Sequence, residues 1–234
     1  MEESKQNSEC QKITNDHEND RFYEAAKKYW DAVTPNVNGM LGGFAQISPT
    51  DIDGSKAFLR PFLTISGGKT KNHRALDCGS GIGRITKRLL LSMFQKVDMV
   101  DQCQSFIDQA KTYVGAESSR VENFFCCGLQ NFVPKTSHYD IIWCQWVLGH
   151  LTDDDLILFF KRCKNGLTSN GLIIVKENTT SSPKTEFDEN DSSFTRKQDQ
   201  LKDLMKKSGL TIVAEQKQKG LPKSLLDVYM FALQ

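Results

Sequence analysis

Asp77, three closely spaced glycines and Asp101 carry the most legible chemistry in this chain. Asp77–Cys78 leads into Gly79–Ser80–Gly81–Ile82–Gly83–Arg84, and Asp101 closes the next apolar run, Val97–Asp98–Met99–Val100. Glycines at 79, 81 and 83 allow a tight turn and let a ligand approach the backbone without meeting a Cβ. N–H groups at the start of the following helix then face that ligand. A carboxylate ending the neighbouring strand can accept both hydroxyls of a ribose. The spacing narrows the ligand further. A dinucleotide loop reads G-x-G-x-x-G, and Arg84 stands where its third glycine would fall; no G-x-x-x-x-G-K-[ST] phosphate loop is present.

These residues need a scaffold, and the hydrophobic rhythm supplies one. Strands are expected near 74–78, 97–101, 121–126, 139–144, 171–177, 210–216 and 226–233, and helices near 82–94, 103–114, 152–165 and 193–208. Strands alternating with helices of this length imply a parallel, doubly wound α/β sheet. Only Lys219–Gly220–Leu221–Pro222 joins the last two strands, so the final strand should run antiparallel to its neighbour. Ligands of open α/β sheets sit beyond the carboxyl ends of the strands. That rule gathers Gly79, Asp101, Leu129–Gln130, Gln145–Trp146 and Asn178 on one rim. Ahead of the sheet, residues 1–20 are polar and aperiodic and read as a disordered tail. A helix over 21–32 carries the stripe Phe22, Ala25, Ala26, Tyr29 and Trp30, a glycine-rich loop follows at 38–44, and a second helix covers 50–62. The expected organisation is one domain over 21–234, a helical cap at 21–73 on a Rossmann-like core at 74–234.

Composition bounds the rest. The chain has 234 residues, 38% hydrophobic and 25% charged, which suits one soluble globular domain. A net charge of +1 gives no pull towards nucleic acid or an anionic membrane. No run is long and apolar enough for a bilayer span or a secretory leader. Seven cysteines, most in apolar runs, point to reduced buried thiols and to the nucleus and cytoplasm. No C-x-x-C pair or His/Cys cluster suggests a metal.

An acid before G-x-G-x-G, with a second acid ending the next strand, resembles the S-adenosylmethionine loop of class I methyltransferases. In that fold the segment Trp143–Cys144–Gln145–Trp146–Val147–Leu148–Gly149–His150–Leu151 faces the transferred methyl group. It contains no [DN]-P-P-[YF] run and no Pro-Cys nucleophile, and no basic stretch interleaved with aromatics occurs elsewhere. The substrate is therefore expected to be neither DNA nor RNA. Further runs sharpen the likeness: Tyr29–Trp30, Asn38–Gly39–Met40–Leu41–Gly42–Gly43, Phe125–Cys126–Cys127–Gly128–Leu129–Gln130, Gly149–His150–Leu151–Thr152 and Asp191–Ser192–Ser193. Together with the glycine loop they resemble the α-N-terminal protein methyltransferases, which methylate the free N-terminus of Xaa-Pro-Lys proteins. The likeness runs from about residue 22 to the C-terminus.

That resemblance implies a class I methyltransferase fold, a seven-stranded sheet with its last strand antiparallel, and S-adenosylmethionine as cofactor without a metal. It implies that Gly79 and Arg84 hold the methionine end and that Asp101, Gln102 and Cys103 line the ribose and adenine. Leu129 and Gln130 would flank the adenine, and Gln145 would face the sulfonium. Trp30, Leu41, Gly42, Trp146 and Ser193 would frame the first substrate residues. Asn178 and Asp191 would grip the α-amine, His150 would help deprotonate it, and Asp188 with Asp191 would meet a basic third residue. The chain departs from the family pattern at Glu177, at Leu226 and in a 178–191 loop one residue longer.

The chemistry is consistent with these residue types. Transfer is an in-line displacement at a sulfonium carbon, so the nitrogen must carry a free lone pair. An α-amine titrates at roughly 7.7–8.0, and a histidine at about 6.5 can accept its proton. The implied partners are N-terminal tails reading Xaa-Pro-Lys/Arg after loss of the initiator methionine. A small-molecule O- or N-methyltransferase, and a non-catalytic cofactor-binding subunit, remain open alternatives.

Overall fold

The computed structural model describes residues 17–234, so the expected tail at 1–20 lies almost wholly outside the described residues. The first element, α1 (His17–Asp31), begins a few residues before the expected helix. Next come α2 (Val37–Met40), within the glycine-rich loop, and α3 (Ser48–Leu59). The core then runs β1 (Arg74–Cys78), α4 (Arg84–Arg88), β2 (Lys96–Asp101), α5 (Gln104–Val114), β3 (Val121–Cys126), β4 (Tyr139–Gln145), α6 (Asp153–Gly166) and β5 (Leu167–Thr179). A small hairpin, β6 (Glu186–Asp188) and β7 (Ser193–Thr195), precedes α7 (Gln198–Lys207), β8 (Ile212–Lys217) and β9 (Asp227–Leu233).

The seven-stranded sheet has the order β3-β2-β1-β4-β5-β9-β8. Strands β1 to β5 pair in parallel, and β9 is antiparallel to both β5 and β8. Every residue of β4 is buried, as expected for a central parallel strand covered on both faces. Alternation divides the core between those faces. Leu76, Cys78, Ile142 and Cys144 pack with α6 and α7 through Phe159, Phe160 and Leu204. Ala75, Ile141 and Trp143 pack on the other face with Phe58, Leu59 and Leu89. Helix α6 starts where Thr152 Oγ1 accepts from Asp155 N, with three aspartates in its first turn, a favourable arrangement for the helix dipole.

Three expectations on local structure are corrected. The helix expected at 82–94 is only Arg84–Arg88, followed by a 3₁₀ turn at Leu90–Ser92. The helix expected from 193 starts at Gln198, because Ser193–Thr195 pairs with Glu186–Asp188. Cys126, expected to be buried, faces solvent, whereas Cys78, Cys103, Cys144 and Cys163 are buried free thiols.

The cap is stitched onto the core. The Tyr23 hydroxyl donates to buried Asp155. Phe22 on α1 stacks on Phe194 of β7 at 5.3 Å, and Ser192 Oγ donates to the Phe22 carbonyl at 3.0 Å. The hairpin is thereby held against the first helix.

Candidate active site

The carboxyl ends of the parallel strands open into a cavity that begins at the glycine turn. Gly79 and Gly81 adopt φ of 67° and 53°. A Cβ on Gly79 would lie 2.4 Å from Val147 Cγ2, and one on Gly81 would lie 2.4 Å from Met40 Sδ. The turn is anchored to β2 by Gly79 and Ser80, whose N–H groups donate to the Val100 carbonyl at 2.9 and 3.0 Å. Asp77 does not line the cavity. Its buried Oδ2 accepts from Thr86 N at 3.0 Å and Thr86 Oγ1 at 2.6 Å, which fixes the start of α4. Burial pushes its carboxyl up to about 6, against the pull of the Thr86 bonds.

Asp101 stands at the end of β2, as its place in the sequence requires. Its Oδ2 accepts from Gly81 N at 2.8 Å and its Oδ1 from Cys103 N at 2.9 Å. Each oxygen keeps a second lone pair for a ligand hydroxyl. Burial raises its pKa, and the backbone donors oppose the rise. Gln102, Leu129, Gln130, Gln145 and Arg84 line the same cavity. Cys103 does not: its side chain is buried with Ile82 and Phe106, and it serves the site through its N–H alone. Its extended position just before α5 buries that thiol, which the sequence did not disclose.

The residues present fit S-adenosylmethionine. Ser80 Oγ is buried in the cavity wall without a hydrogen-bond partner among the described residues, which suits the polar amino-acid end of the ligand. Arg84 offers a guanidinium to a carboxylate, the glycine turn leaves room for the chain, and Asp101 serves the ribose.

A second, open groove adjoins the cavity. Trp30, Met40, Trp146 and His150 line both, so they form the shared wall. Leu41, Gly42, Asn178, Asp191 and Ser193 line the groove, as expected from the sequence. Asp188 does not. It lies exposed on the hairpin, and its Oδ1 accepts from Asn190 N and Nδ2 at 2.9 Å each. The carboxylates lining the groove among the described residues are Glu177 and Asp191. Two buried polar atoms there have no partner, Asp191 Oδ1 and Trp146 Nε1.

Trp146 is held in an unusual conformation. Its φ is 53°, a left-handed value that costs a bulky residue roughly 1–3 kcal/mol. Neighbouring bonds fix it there. Trp146 N donates to the Lys176 carbonyl at 3.0 Å, and Val147 N and Leu148 N both donate to Glu177 Oε1 at 2.8 Å. Burial pushes the Glu177 carboxyl up to about 7, opposed by those donors and by Arg196.

His150 lies in the shared wall with both ring nitrogens engaged. Trp30 Nε1 lies 3.0 Å from His150 Nε2, and an indole nitrogen can only donate. Nε2 is therefore the accepting nitrogen, and Nδ1 carries the hydrogen, 3.3 Å from the Ser192 carbonyl. The imidazole is neutral in this arrangement. Burial lowers its pKa, while Asp191 and the Ser192 carbonyl act the other way. Without substrate its Nε2 lone pair is engaged by the Trp30 indole, so taking a proton there requires that contact to open.

Sequence reasoning did not single out Ser80, Met40, Glu177 or Asp51 as site residues. Ser80 and Met40 stand inside runs already conspicuous for glycine. Asp51 gave no local signal, yet its carboxylate contacts both Arg84 and Gln145.

Comparison with known proteins agrees with this geometry. Residues 18–234 match the family described as AdoMet-dependent proline di-methyltransferases. N-terminal Xaa-Pro-Lys N-methyltransferase 1 of Danio rerio is 52% identical over 212 residues, covering 91% of this chain and 95% of that protein. The Homo sapiens protein of the same name is 50% identical over 213 residues, with the same coverage. Among solved structures, a SAM-dependent methyltransferase from Leishmania major superposes with a TM-score of 0.86 at 34% identity, over 95% of this chain and 87% of that one. A phosphoethanolamine N-methyltransferase from Haemonchus contortus shares the fold at a TM-score of 0.71 and 19% identity, over 94% of this chain and 50% of that one. With the family matched over nearly its whole length, this chain belongs to the AdoMet-dependent proline di-methyltransferases and is an S-adenosylmethionine-dependent enzyme of the class I methyltransferase fold.

Proposed function

We propose that this enzyme methylates the α-amine of proteins whose exposed N-termini read Xaa-Pro-Lys or Xaa-Pro-Arg, after removal of the initiator methionine. One observation carries the reading. The cofactor cavity and an open groove share the wall of Trp30, Met40, Trp146 and His150, and an unpartnered buried oxygen of Asp191 lines the groove beside it. An open groove suits an extended chain end better than a closed small-molecule pocket does. The names carried by relatives about 50% identical to this chain support the same reading.

When bound, S-adenosylmethionine supplies an electrophilic methyl group on a sulfonium. The chain's own residues do the rest. Gly79, Ser80 and Arg84 bind the amino-acid end, Asp101 and Gln102 the ribose, and Leu129 and Gln130 the adenine. Leu41 and Trp146 provide apolar contact for the substrate's first residues, with Ser193 across the groove. Asp191 and the Asn178 side-chain oxygen accept hydrogen bonds from the amine, which leaves its lone pair free to face the methyl. About a tenth to a fifth of an unperturbed α-amine is neutral at pH 7. Asn178 is exposed, so the remaining proton can leave to water at the groove mouth. Holding nitrogen and methyl about 3–3.5 Å apart contributes much of the rate. Asp191 is the groove carboxylate left to attract a basic third residue.

The test incubates the enzyme with labelled cofactor and a Ser-Pro-Lys peptide, its acetylated form and a Ser-Ala-Lys control. Label is expected on the free Ser-Pro-Lys α-amine, and Asp191→Asn is expected to lower kcat/KM at least a hundredfold while cofactor affinity stays within twofold. Equal labelling of the acetylated peptide, or an unaffected Asp191→Asn variant, overturns the reading.

A further inference from the structure

A buried charge cluster lies against the cofactor cavity, and the transfer step makes no use of it. Asp51 on α3 is fully buried, and its two oxygens serve three side chains. Oδ2 accepts from Arg84 Nη1 at 2.7 Å, and Oδ1 accepts from Gln145 Nε2 at 2.8 Å and from Lys176 Nζ at 2.6 Å. Lys176, near the carboxyl end of β5, is also fully buried. Its Nζ further donates to the Asp51 carbonyl at 3.0 Å, to Ser55 Oγ at 2.9 Å and to Gln218 Oε1 at 2.8 Å. Three of those contacts are oxygens that can only accept, and a neutral amine has two hydrogens. The nitrogen is therefore held as an ammonium.

The arrangement is unbalanced. Within this hydrogen-bonded set one carboxylate faces two cations, a surplus positive charge that is costly unless something complements it; buried Asp77 also feels Arg84 but bonds Thr86 instead. Of the two cations, Arg84 lines the cavity and Lys176 does not. Gln145 also lines the cavity, and its orientation is fixed on both sides, by Asp51 and by Trp143 Nε1, which donates to its Oε1 at 3.0 Å. Gly54 belongs to the same assembly: a Cβ there would lie 2.2 Å from Gln218 Oε1, so the helix comes close enough for Gln218 to reach Lys176.

We propose that Asp51 is a positioning residue for the amino-acid end of the cofactor: it aims Arg84 and Gln145 into the cavity, while Lys176 acts as a buried counter-cation that leaves one positive charge for the methionine carboxylate. This rests on Arg84 holding that end of the ligand and is independent of which amine receives the methyl group.

Calorimetric titration without any peptide tests it, using two probes, S-adenosylhomocysteine and 5′-methylthioadenosine, which lacks the amino-acid end. Asp51→Asn is expected to weaken S-adenosylhomocysteine at least tenfold and to change methylthioadenosine less than twofold. Asp51→Asn leaves two buried cations without a carboxylate, so the double variant Asp51→Asn with Lys176→Met, which removes the surplus charge, provides the folded comparison. In it Tm is expected to recover while the selective loss of S-adenosylhomocysteine affinity persists. Equal losses for both probes, or wild-type S-adenosylhomocysteine affinity in the double variant, would make Asp51 a structural residue only and overturn the proposal. A peptide assay that failed while these affinities behaved as expected would count against the substrate reading alone.

Discussion

Glu177→Gln isolates the electrostatic cost of the clamp behind Trp146. Glu177 is 8% exposed, and burial carries its carboxyl from 4.5 to about 7 in the folded enzyme. The folded state therefore binds this proton more tightly than the unfolded chain, so stability is full below the unfolded pKa and declines as pH rises through the folded one. Across pH 5 to 8 the wild type should lose about 2.5 kcal/mol from this group, at 1.36 kcal/mol per pH unit of differential ionisation. Glutamine keeps a carbonyl oxygen for Val147 N and Leu148 N but has no proton to lose. Urea unfolding of both proteins at pH 5 and pH 8 reads the effect. The difference between variant and wild type should move by about 2.5 kcal/mol in favour of the variant at pH 8, whatever constant offset the amide introduces. A difference independent of pH, or one moving the other way, would refute the reasoning that burial outweighs the two backbone donors.

Trp30→Phe keeps the aromatic wall but removes the indole donor from His150 Nε2. The His150 imidazole should then titrate at a higher pH than in the wild type, followed by NMR of its ring protons; an unchanged titration would show that the indole does not hold the tautomer. Gly79→Ala combines a left-handed φ, costing roughly 1–2 kcal/mol for an L-residue, with a Cβ 2.4 Å from Val147 Cγ2. Cofactor affinity by calorimetry should drop at least tenfold, and retained affinity would show that the turn can shift without harm.

The cofactor half of the site was legible because its signal is local. The strand ending at Cys78, the glycine turn and Asp101 lie within one βαβ unit, and its near-continuously buried strands make that unit visible in sequence. The antiparallel β9 was legible for the same reason, since a short Gly-Pro linker leaves no room for a crossover helix. What escaped depends on distance along the chain. Trp30 meets His150 across 120 residues, and Lys176 reaches Asp51 across 125. No spacing rule reports such pairs. The hairpin at 186–195 escaped because three-residue strands are too short to show alternation, and with it the exposed position of Asp188, whose Oδ1 accepts from Asn190. Cys103 was misread because adjacency to Asp101 does not tell which way a side chain points.

The shared wall also separates two kinds of sequence. The donor side is drawn from consecutive strand ends: Gly79 and Ser80 bonded to the Val100 carbonyl, Asp101 bonded to Gly81 N, and Leu129–Gln130 held by the Arg162 guanidinium. The acceptor side adds to Trp146, Glu177 and Asn178 at the strand ends three segments from outside the sheet: Leu41 and Phe44 before β1, the 191–195 hairpin arm and the Leu221–Leu226 loop after β5. Exchanging those three peripheral segments can retarget the enzyme to a different acceptor while its nucleotide-recognition code stays intact, which makes this scaffold a natural chassis for grafted specificity.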